Sequence, residues 1–307
     1  MTDAARDVDR GEQLRVGEVD LWVDVVGDGH DTVVLLAGAD TPGFHWSPGF
    51  VDALVGAGFR VVRFDHRDCG RSSWFGSEAG YLLDDLAADL IGLLDLLAVE
   101  IAHLVGRSMG GMIAQVAALD DPERVRSLTL LGSTAGAGDE RLPGPDDEFV
   151  DSMMHRLYAG PPPDRRAMVG WLAELAEMLA GDAYPFDADS ARRLAAAELA
   201  TGWQPESGHG VAVHASPSRL ERLSEIRQPT LVVHGTAAPV FPLEHGRALA
   251  TGIDGAVLLE VDRLGHETPA SMLDEFVPIL IEHLRSAAVW PDRSCRRRET
   301  RSGISAC

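Results

Sequence analysis

The chain of 307 residues carries a formal net charge of −21, with 45% hydrophobic and 24% charged residues. Such a chain can bury a full core, while its acidity argues against binding nucleic acid or an anionic membrane surface. Three scattered cysteines are too few for a disulfide framework or a zinc site. We therefore expect a small-molecule substrate, no cofactor and no metal, and the sequence leaves the oligomeric state open.

The sequence contains neither a membrane-spanning segment nor a signal peptide by the usual criteria. No apolar run approaches the roughly 18 residues that a span needs, and the stretch from Met1 to Arg15 is too polar for a signal peptide. These features predict a cytoplasmic protein.

Short apolar runs alternate with amphipathic segments through the first part of the chain. We expect strands at 13–16 and 19–26, as an edge hairpin, and then at 32–37, 59–64, 101–105 and 127–131, with a helix in each of the later intervals. Strands and helices that alternate at this spacing predict an α/β fold with a mostly parallel, doubly wound sheet.

The alternation stops between residues 136 and 227, where Gly- and Pro-rich stretches separate helical patterns. We expect this segment to be a helical cap, inserted after the sixth strand over the carboxyl edge of the sheet. Strands follow at 230–234 and 256–261, and a helix at 269–287. The prediction is therefore a core of residues 1–135 and 228–288, a cap of residues 136–227, and a disordered, arginine-rich tail of residues 289–307.

A serine lies between the fifth strand and the helix that follows it, in Gly106-Arg107-Ser108-Met109-Gly110. So sharp a strand-to-helix turn strains the serine backbone and needs glycine two positions to either side, because side chains there would clash. The Ser108 hydroxyl would then stand clear of the sheet, at the positive end of a helix, as a candidate nucleophile.

A serine is a weak nucleophile unless a base takes its proton. His266 lies in a glycine-flanked loop directly after the last strand and before the last helix. Loops that follow parallel strands meet at the same carboxyl edge of the sheet. The sequence therefore predicts His266 as the base for Ser108.

From about Val16 to Ala287 the chain resembles an α/β-hydrolase. Within that superfamily it resembles the polyketide-tailoring methylesterases typified by aclacinomycin methylesterase, on three features: Asp65-His66-Arg67-Asp68-x-Gly70-Arg71-Ser72, Gly106-x-Ser108-Met109-Gly110 and Trp46. The resemblance implies that Ser108 is the nucleophile, that His266 is the base, and that the backbone N–H groups of Ala39 and Met109 form an oxyanion hole.

One position departs from the family pattern. Where the family has its third catalytic residue, in a pattern like H-G-T-x-D-P-x-x-P, residues 234–242 match everywhere except at the acid, which is Ala238. Three explanations stay open. The change is a deliberate Asp→Ala substitution, or another carboxylate, Asp139 or Asp262, orients His266, or the chain uses a Ser–His dyad or has abandoned hydrolysis.

These features predict a serine hydrolase that cleaves a carboxylic ester or lactone through an acyl-enzyme and is impaired by the missing acid. Two alternatives remain: a cofactor-free reaction such as C–C cleavage, decarboxylation or cyclisation, and a ligand-binding protein without catalysis. The candidate substrate contacts are Asp40, Trp46, Tyr158 and Trp171.

Overall fold

The computed structural model describes residues 10–288, except for the side chains at positions 273, 274 and 288. Eight strands lie in one sheet: β1 (Glu12–Val16), β2 (Val19–Val26), β3 (Thr32–Leu36), β4 (Arg60–Phe64), β5 (Ala102–Arg107), β6 (Val125–Leu131), β7 (Thr230–Gly235) and β8 (Val257–Val261). The tail that the sequence predicts to be disordered lies outside the described residues.

The strand order is β1-β2-β4-β3-β5-β6-β7-β8, and β3 through β8 run parallel to one another. Near one edge, β2 runs antiparallel to both of its neighbours, β1 and β4. Leu36 at the end of β3 pairs with Gly106, and Arg107 at the end of β5 pairs with Leu131. The carboxyl ends of three central strands are therefore level, and the loop after β5 starts in the middle of that edge.

The helices of the described residues are α1 (Pro48–Gly56), α2 (Leu83–Leu96), α3 (Met109–Asp120), α4 (Asp147–Ala159), α5 (Arg165–Ala180), α6 (Ala188–Thr201), α7 (His209–Ala215), α8 (Leu243–Gly252) and α9 (Leu273–Ala288). Side-chain caps fix where several of them start. The aspartates before α4, α5 and α6, at positions 146, 164 and 187, each accept a hydrogen bond from a backbone N–H of the first turn. No helix in the described part of the chain is both long and apolar enough to cross a membrane.

Apolar side chains cover both faces of the sheet. On one face, Leu90 of α2 and Ile113 of α3 pack with Leu104 of β5 in one buried cluster. On the other, Phe50 of α1 and Phe276 of α9 belong to a second cluster, and their rings stack with centroids 6.4 Å apart. Burial of both faces explains why the central strands are continuous apolar runs rather than alternating ones.

Helices α4 to α7 lie between β6 and β7 in the chain, and we call this segment the cap. The prediction of a mostly parallel, doubly wound sheet with a helical insertion after the sixth strand is confirmed. The domain boundaries after residues 135 and 227 stay predictions.

Candidate active site

Ser108 occupies the turn between β5 and α3, with φ 52° and ψ −117°, a conformation that non-glycine residues rarely adopt. Its backbone N–H donates to the carbonyl of Leu131 at 2.9 Å, which holds the turn against β6. A Cβ added at Gly106 would lie 2.4 Å from the backbone of Gly110, and one at Gly110 would lie 2.2 Å from the carbonyl oxygen of Leu36. Side chains at both glycine positions would therefore clash with backbone, as the sequence predicted.

The cap holds His266 in place through its backbone. Carbonyl oxygens at the end of α5 accept hydrogen bonds from this loop: Leu179 from His266 N–H at 2.6 Å, and Ala180 from Gly265 N–H at 3.0 Å. The Nε2 atom of His266 lies 2.9 Å from Ser108 Oγ. The structure thus brings together two side chains that are 158 residues apart in the sequence.

The other ring nitrogen of His266 has no hydrogen-bond partner. Nδ1 is buried, and no side chain or backbone group of the described residues bonds to it. A Cβ added at Gly132, at the end of β6, would lie 3.4 Å from this nitrogen. Burial lowers the pKa of His266 to about 4. The ring is therefore neutral at neutral pH, and nothing fixes which nitrogen carries the proton.

Neither carboxylate that the sequence suggested as a substitute acid reaches His266. Asp139 pairs with the Arg141 guanidinium at 2.8 Å, and hydrogen bonds from Arg141 are the main reason that its pKa lies below the usual range. Asp262 is exposed and accepts a hydrogen bond from Thr236 at 3.3 Å. In the structure neither replaces the acid missing at Ala238, which is itself buried.

The loop after β3 lies directly against the serine. A Cβ added at Gly38 would be 3.5 Å from the Ser108 Cβ. Met109 is the first residue of α3, so its backbone N–H has no partner within the helix and is free to bind an anion. An oxyanion hole formed by Ala39 and Met109 agrees with these positions and stays a prediction.

The next residue of that loop, Asp40, is held by the cap. It has φ 57°, and its backbone N–H donates to His209 Nδ1 at 2.8 Å. The Nε2–H of His209 donates to the Arg67 carbonyl at 2.7 Å. The Asp40 carboxylate accepts from the Ser207 hydroxyl; burial raises its pKa, but the contacts with His209 and Ser207 lower it by more. Asp40 therefore turns toward the cap.

Sequence reasoning missed His209 as a functional residue. The ring is fully buried and contacts a residue 169 positions away, at the start of the chain. No local pattern marks such a contact. The only signal available was a histidine next to the glycine that precedes α7.

The Asp-His-Arg-Asp motif ties three loops together. Asp65 accepts from the N–H of Gly43, in the loop after β3, at 2.7 Å. Gly70 has φ 53°, and a Cβ there would lie 2.1 Å from the Asp65 carboxylate. Asp68 accepts from the N–H of Gly208 in the cap at 2.9 Å. Two carboxylates of the motif thus hold the loop after β3 and anchor the cap.

The arginine that precedes Ser108 is part of an ion pair. Arg107 forms an ion pair with Glu267, the residue after His266. Burial raises the pKa of Glu267, but the charge and hydrogen bond of Arg107, together with the charges of His45 and His266, lower it by more. The ion pair leaves little net charge next to Ser108 and links the turn that carries Ser108 to the loop that carries His266.

A cleft opens between the cap and the core beside Asp40 rather than directly over the partly exposed Ser108. It is lined by Asp40, Pro42, Asp68, Cys69, Gly70, Trp74, Glu198, Trp203 and Gln204. No three His, Cys, Asp or Glu side chains among residues 10–288 are grouped to hold a metal ion.

Three of the predicted substrate contacts lie elsewhere. Trp46 stacks on Phe50 in the core, with centroids 5.2 Å apart. Trp171 lies under the Arg156 guanidinium at 3.9 Å, and Tyr158 is 83% exposed. Their positions give no support to substrate contact, which for these three stays a prediction. Asp40 does line the cleft.

The fold and the turn at Ser108 agree with one enzyme family. The family model described as the alpha/beta hydrolase fold matches residues 32–268, and the chain belongs to this family. It is an enzyme of the hydrolase class.

Two named relatives and one solved structure are similar to the chain over most of its length. The chain is 34% identical over 295 residues to the rhodomycin D methylesterase DnrP of Streptomyces peucetius, covering 89% of this chain and 97% of that protein. It is 30% identical to a 2-hydroxy-6-oxononadienedioate/2-hydroxy-6-oxononatrienedioate hydrolase of Paraburkholderia phymatum, over 89% and 92% of the two chains. Among solved structures, a meta-cleavage product hydrolase of Pseudomonas fluorescens matches with a TM-score of 0.72 and 25% identity, over 91% and 98% of the two chains. The resemblance to methylesterases inferred from the motifs is confirmed.

Proposed function

We propose that the chain is a serine hydrolase that cleaves a carboxylic ester of an uncharged small molecule through an acyl-enzyme. The observation that carries the proposal is the 2.9 Å contact between Ser108 Oγ and His266 Nε2, in a turn that exposes the serine at the start of α3. Nucleophile and base within hydrogen-bond distance, next to free backbone N–H groups, are the parts that acyl transfer requires.

In the proposed mechanism, His266 Nε2 takes the Ser108 proton while Oγ attacks the ester carbonyl. The carbonyl oxygen becomes an oxyanion and accepts hydrogen bonds from the N–H groups of Ala39 and Met109. His266 then gives the proton to the departing alkoxide, which leaves as an alcohol. Water, deprotonated by the same nitrogen, releases the acid and restores Ser108.

The missing acid limits this mechanism at the first proton transfer. For Nε2 to accept a proton, Nδ1 must carry the hydrogen, and a buried N–H without an acceptor costs about 1–3 kcal/mol. Loss of the orienting acid in a serine hydrolase costs about 10⁴-fold in turnover. We therefore propose an enzyme that is slow because His266 lacks a partner, with its nucleophile and oxyanion donors intact.

The charge next to Ser108 bears on the substrate. The Arg107 guanidinium, next to Ser108, is paired with Glu267 and is therefore not available to bind a dianion of the kind named for the nonadienedioate hydrolases. We therefore propose a neutral methyl ester, the class of substrate that the name of the methylesterase relative indicates.

The test is the hydrolysis rate of methyl and p-nitrophenyl esters by the protein with Ala238 and by its Ser108→Ala variant. We expect measurable turnover above the buffer rate that falls to background in Ser108→Ala. Equal rates in the two proteins would refute the proposed nucleophile. Turnover of a 2-hydroxy-6-oxodienoate with no turnover of any ester would instead favour C–C hydrolysis.

A further inference from the structure

On the side that faces away from Ser108, His266 has a buried nitrogen, Nδ1, without a hydrogen-bond partner among the described residues. We propose that a small carboxylate anion, formate above all, binds here, accepts the hydrogen bond from His266 Nδ1 and accelerates ester hydrolysis. The proposal rests on the proposed function for its kinetic consequence, although the binding itself does not depend on it.

The first observation is the unsatisfied nitrogen. His266 is only 9% exposed, and Nδ1 has no partner among the described residues. Buried polar groups almost always have a hydrogen-bond partner, so an exception of this kind points to a missing acceptor. Nε2 is already in contact with Ser108, which leaves Nδ1 as the nitrogen that a ligand would bind.

The second observation is what surrounds that nitrogen. Gly132 lies beside it without a side chain: a Cβ added there would be 3.4 Å from Nδ1 and 3.4 Å from the His266 carbonyl oxygen. The Phe241 ring closes another side of the site, with its edge toward His266 and the centroids 5.6 Å apart. Because the surroundings are this close, we expect only a small carboxylate to bind, with affinity falling for each added carbon.

The third observation concerns the loop that carries Ala238. Ala237 donates its N–H to the Leu264 carbonyl at 3.0 Å, which fixes this loop against the histidine loop. Ala238 is buried, whereas Thr236 and Ala237 are exposed, so the route from solvent is short. An aspartate side chain is a methylene group joined to a carboxylate. Alanine supplies the carbon and formate supplies the carboxylate, so the two together reproduce what the family pattern has at this position.

The charge that forms on His266 during catalysis also bears on the ligand. Of the charged side chains that act on His266, Glu267 favours the charged ring and Arg107 disfavours it, and the two form an ion pair. Burial disfavours the imidazolium that forms during catalysis, and an anion at Nδ1 stabilises it. A carboxylate would thus fix the productive tautomer and stabilise the charge, which are the two contributions that the absent side chain would make.

The test measures kcat/KM for an ester at constant ionic strength while sodium formate, acetate or propionate replaces sodium chloride. We expect saturable acceleration by formate, on the order of tenfold against the roughly 10⁴-fold loss caused by a missing acid. Acetate should act more weakly and propionate not at all. Ala238→Asp should be fast without formate and insensitive to it, and Ala238→Val, which fills the space without an acceptor, should lose the response.

Binding is also measured without turnover, by following the ring signals of ¹³C-labelled histidine by NMR during a formate titration. A saturable shift of the His266 signals that is absent in Ala238→Asp supports the site. If Ala238→Asp is much faster than the protein with Ala238 while formate changes neither rate nor signals, the carboxylate site is refuted and the proposed function stands. If formate shifts the signals but neither protein hydrolyses any ester, the site stands and the proposed function fails.

Discussion

Two buried histidines of this molecule, His209 and His266, differ in how their ring nitrogens are satisfied. Both nitrogens of His209 have partners: Nδ1 accepts from the Asp40 N–H at 2.8 Å, and Nε2 lies 2.7 Å from the Arg67 carbonyl. His266 has one partner, Ser108 Oγ, and a buried Nδ1 without any in the described part of the chain. The first ring is locked by backbone groups, and the second is not.

The hydrogen-bond partners of each ring determine whether it can take part in proton transfer. The Asp40 N–H donates to Nδ1, the Arg67 carbonyl accepts from Nε2, and the Asp40 carboxylate lies 3.1 Å from Nδ1. These contacts occupy both ring nitrogens, so His209 can hold the loop after β3 but is not available for proton transfer. His266 can exchange a proton with Ser108, and its tautomer is unspecified on the other side. We infer that the first is a positioning residue and the second is a base that lacks orientation.

The largest effect should come from giving His266 the acceptor that His209 already has. Ala238→Asp places a carboxylate where the family pattern has one, and we expect kcat for ester hydrolysis to rise by about 10³–10⁴-fold. Initial rates under saturating ester measure this. Ala238→Asn is the matched control: it has the same shape but less ability to stabilise an imidazolium, and should recover only a small part of the gain.

A smaller effect should follow from removing one of the two partners of His209. His209→Gln keeps a polar group near the Arg67 carbonyl but loses the acceptor for the Asp40 N–H, and we expect kcat to fall about tenfold, since small displacements of catalytic groups cost up to about 10²-fold. His209→Asn retains an acceptor near the position of Nδ1 and should keep most of the activity.

The split between kcat and KM separates positioning from general damage. A positioning role lowers kcat in His209→Gln with little change in KM or in melting temperature. Equal losses in His209→Gln and His209→Asn, accompanied by a lower melting temperature, would show that the ring serves only the fold.

The smallest effect is on pH dependence. Burial lowers the pKa of His266 to about 4, so the neutral, proton-accepting ring predominates at neutral pH and is lost only as the pH falls through that value. A carboxylate at position 238 favours the charged ring and raises this pKa. The acid limb of the kcat/KM profile should therefore lie at higher pH in Ala238→Asp than in the protein with Ala238. Superimposable profiles would mean that the new carboxylate does not reach Nδ1.

The sequence predicted the parts of this site that depend on local geometry and strand order. Glycines around Ser108 follow from the steric demands of one turn, and His266 follows from its place after the last parallel strand. Both predictions needed only the steric limits of a short turn and the order of strands in the sequence.

The other features of the site depend on contacts between loops that are far apart in the sequence. The contact between His209 and Asp40 forms only when the cap packs on the core. Strand order predicted Asp139 near the site, but its carboxylate pairs with Arg141 instead of His266. Sequence position gave Asp139 and Asp262 a plausible place but not the direction in which their side chains point.

The central claim is that Ser108 and His266 form a working nucleophile and base despite the alanine at position 238. The most direct measurement is covalent labelling by a fluorophosphonate, with the modified peptide identified by mass spectrometry. We predict labelling at Ser108 in the protein with Ala238, faster labelling in Ala238→Asp and none in Ser108→Ala, with slow labelling in His266→Ala. An unlabelled Ser108 in both the protein with Ala238 and Ala238→Asp would contradict a working nucleophile and base.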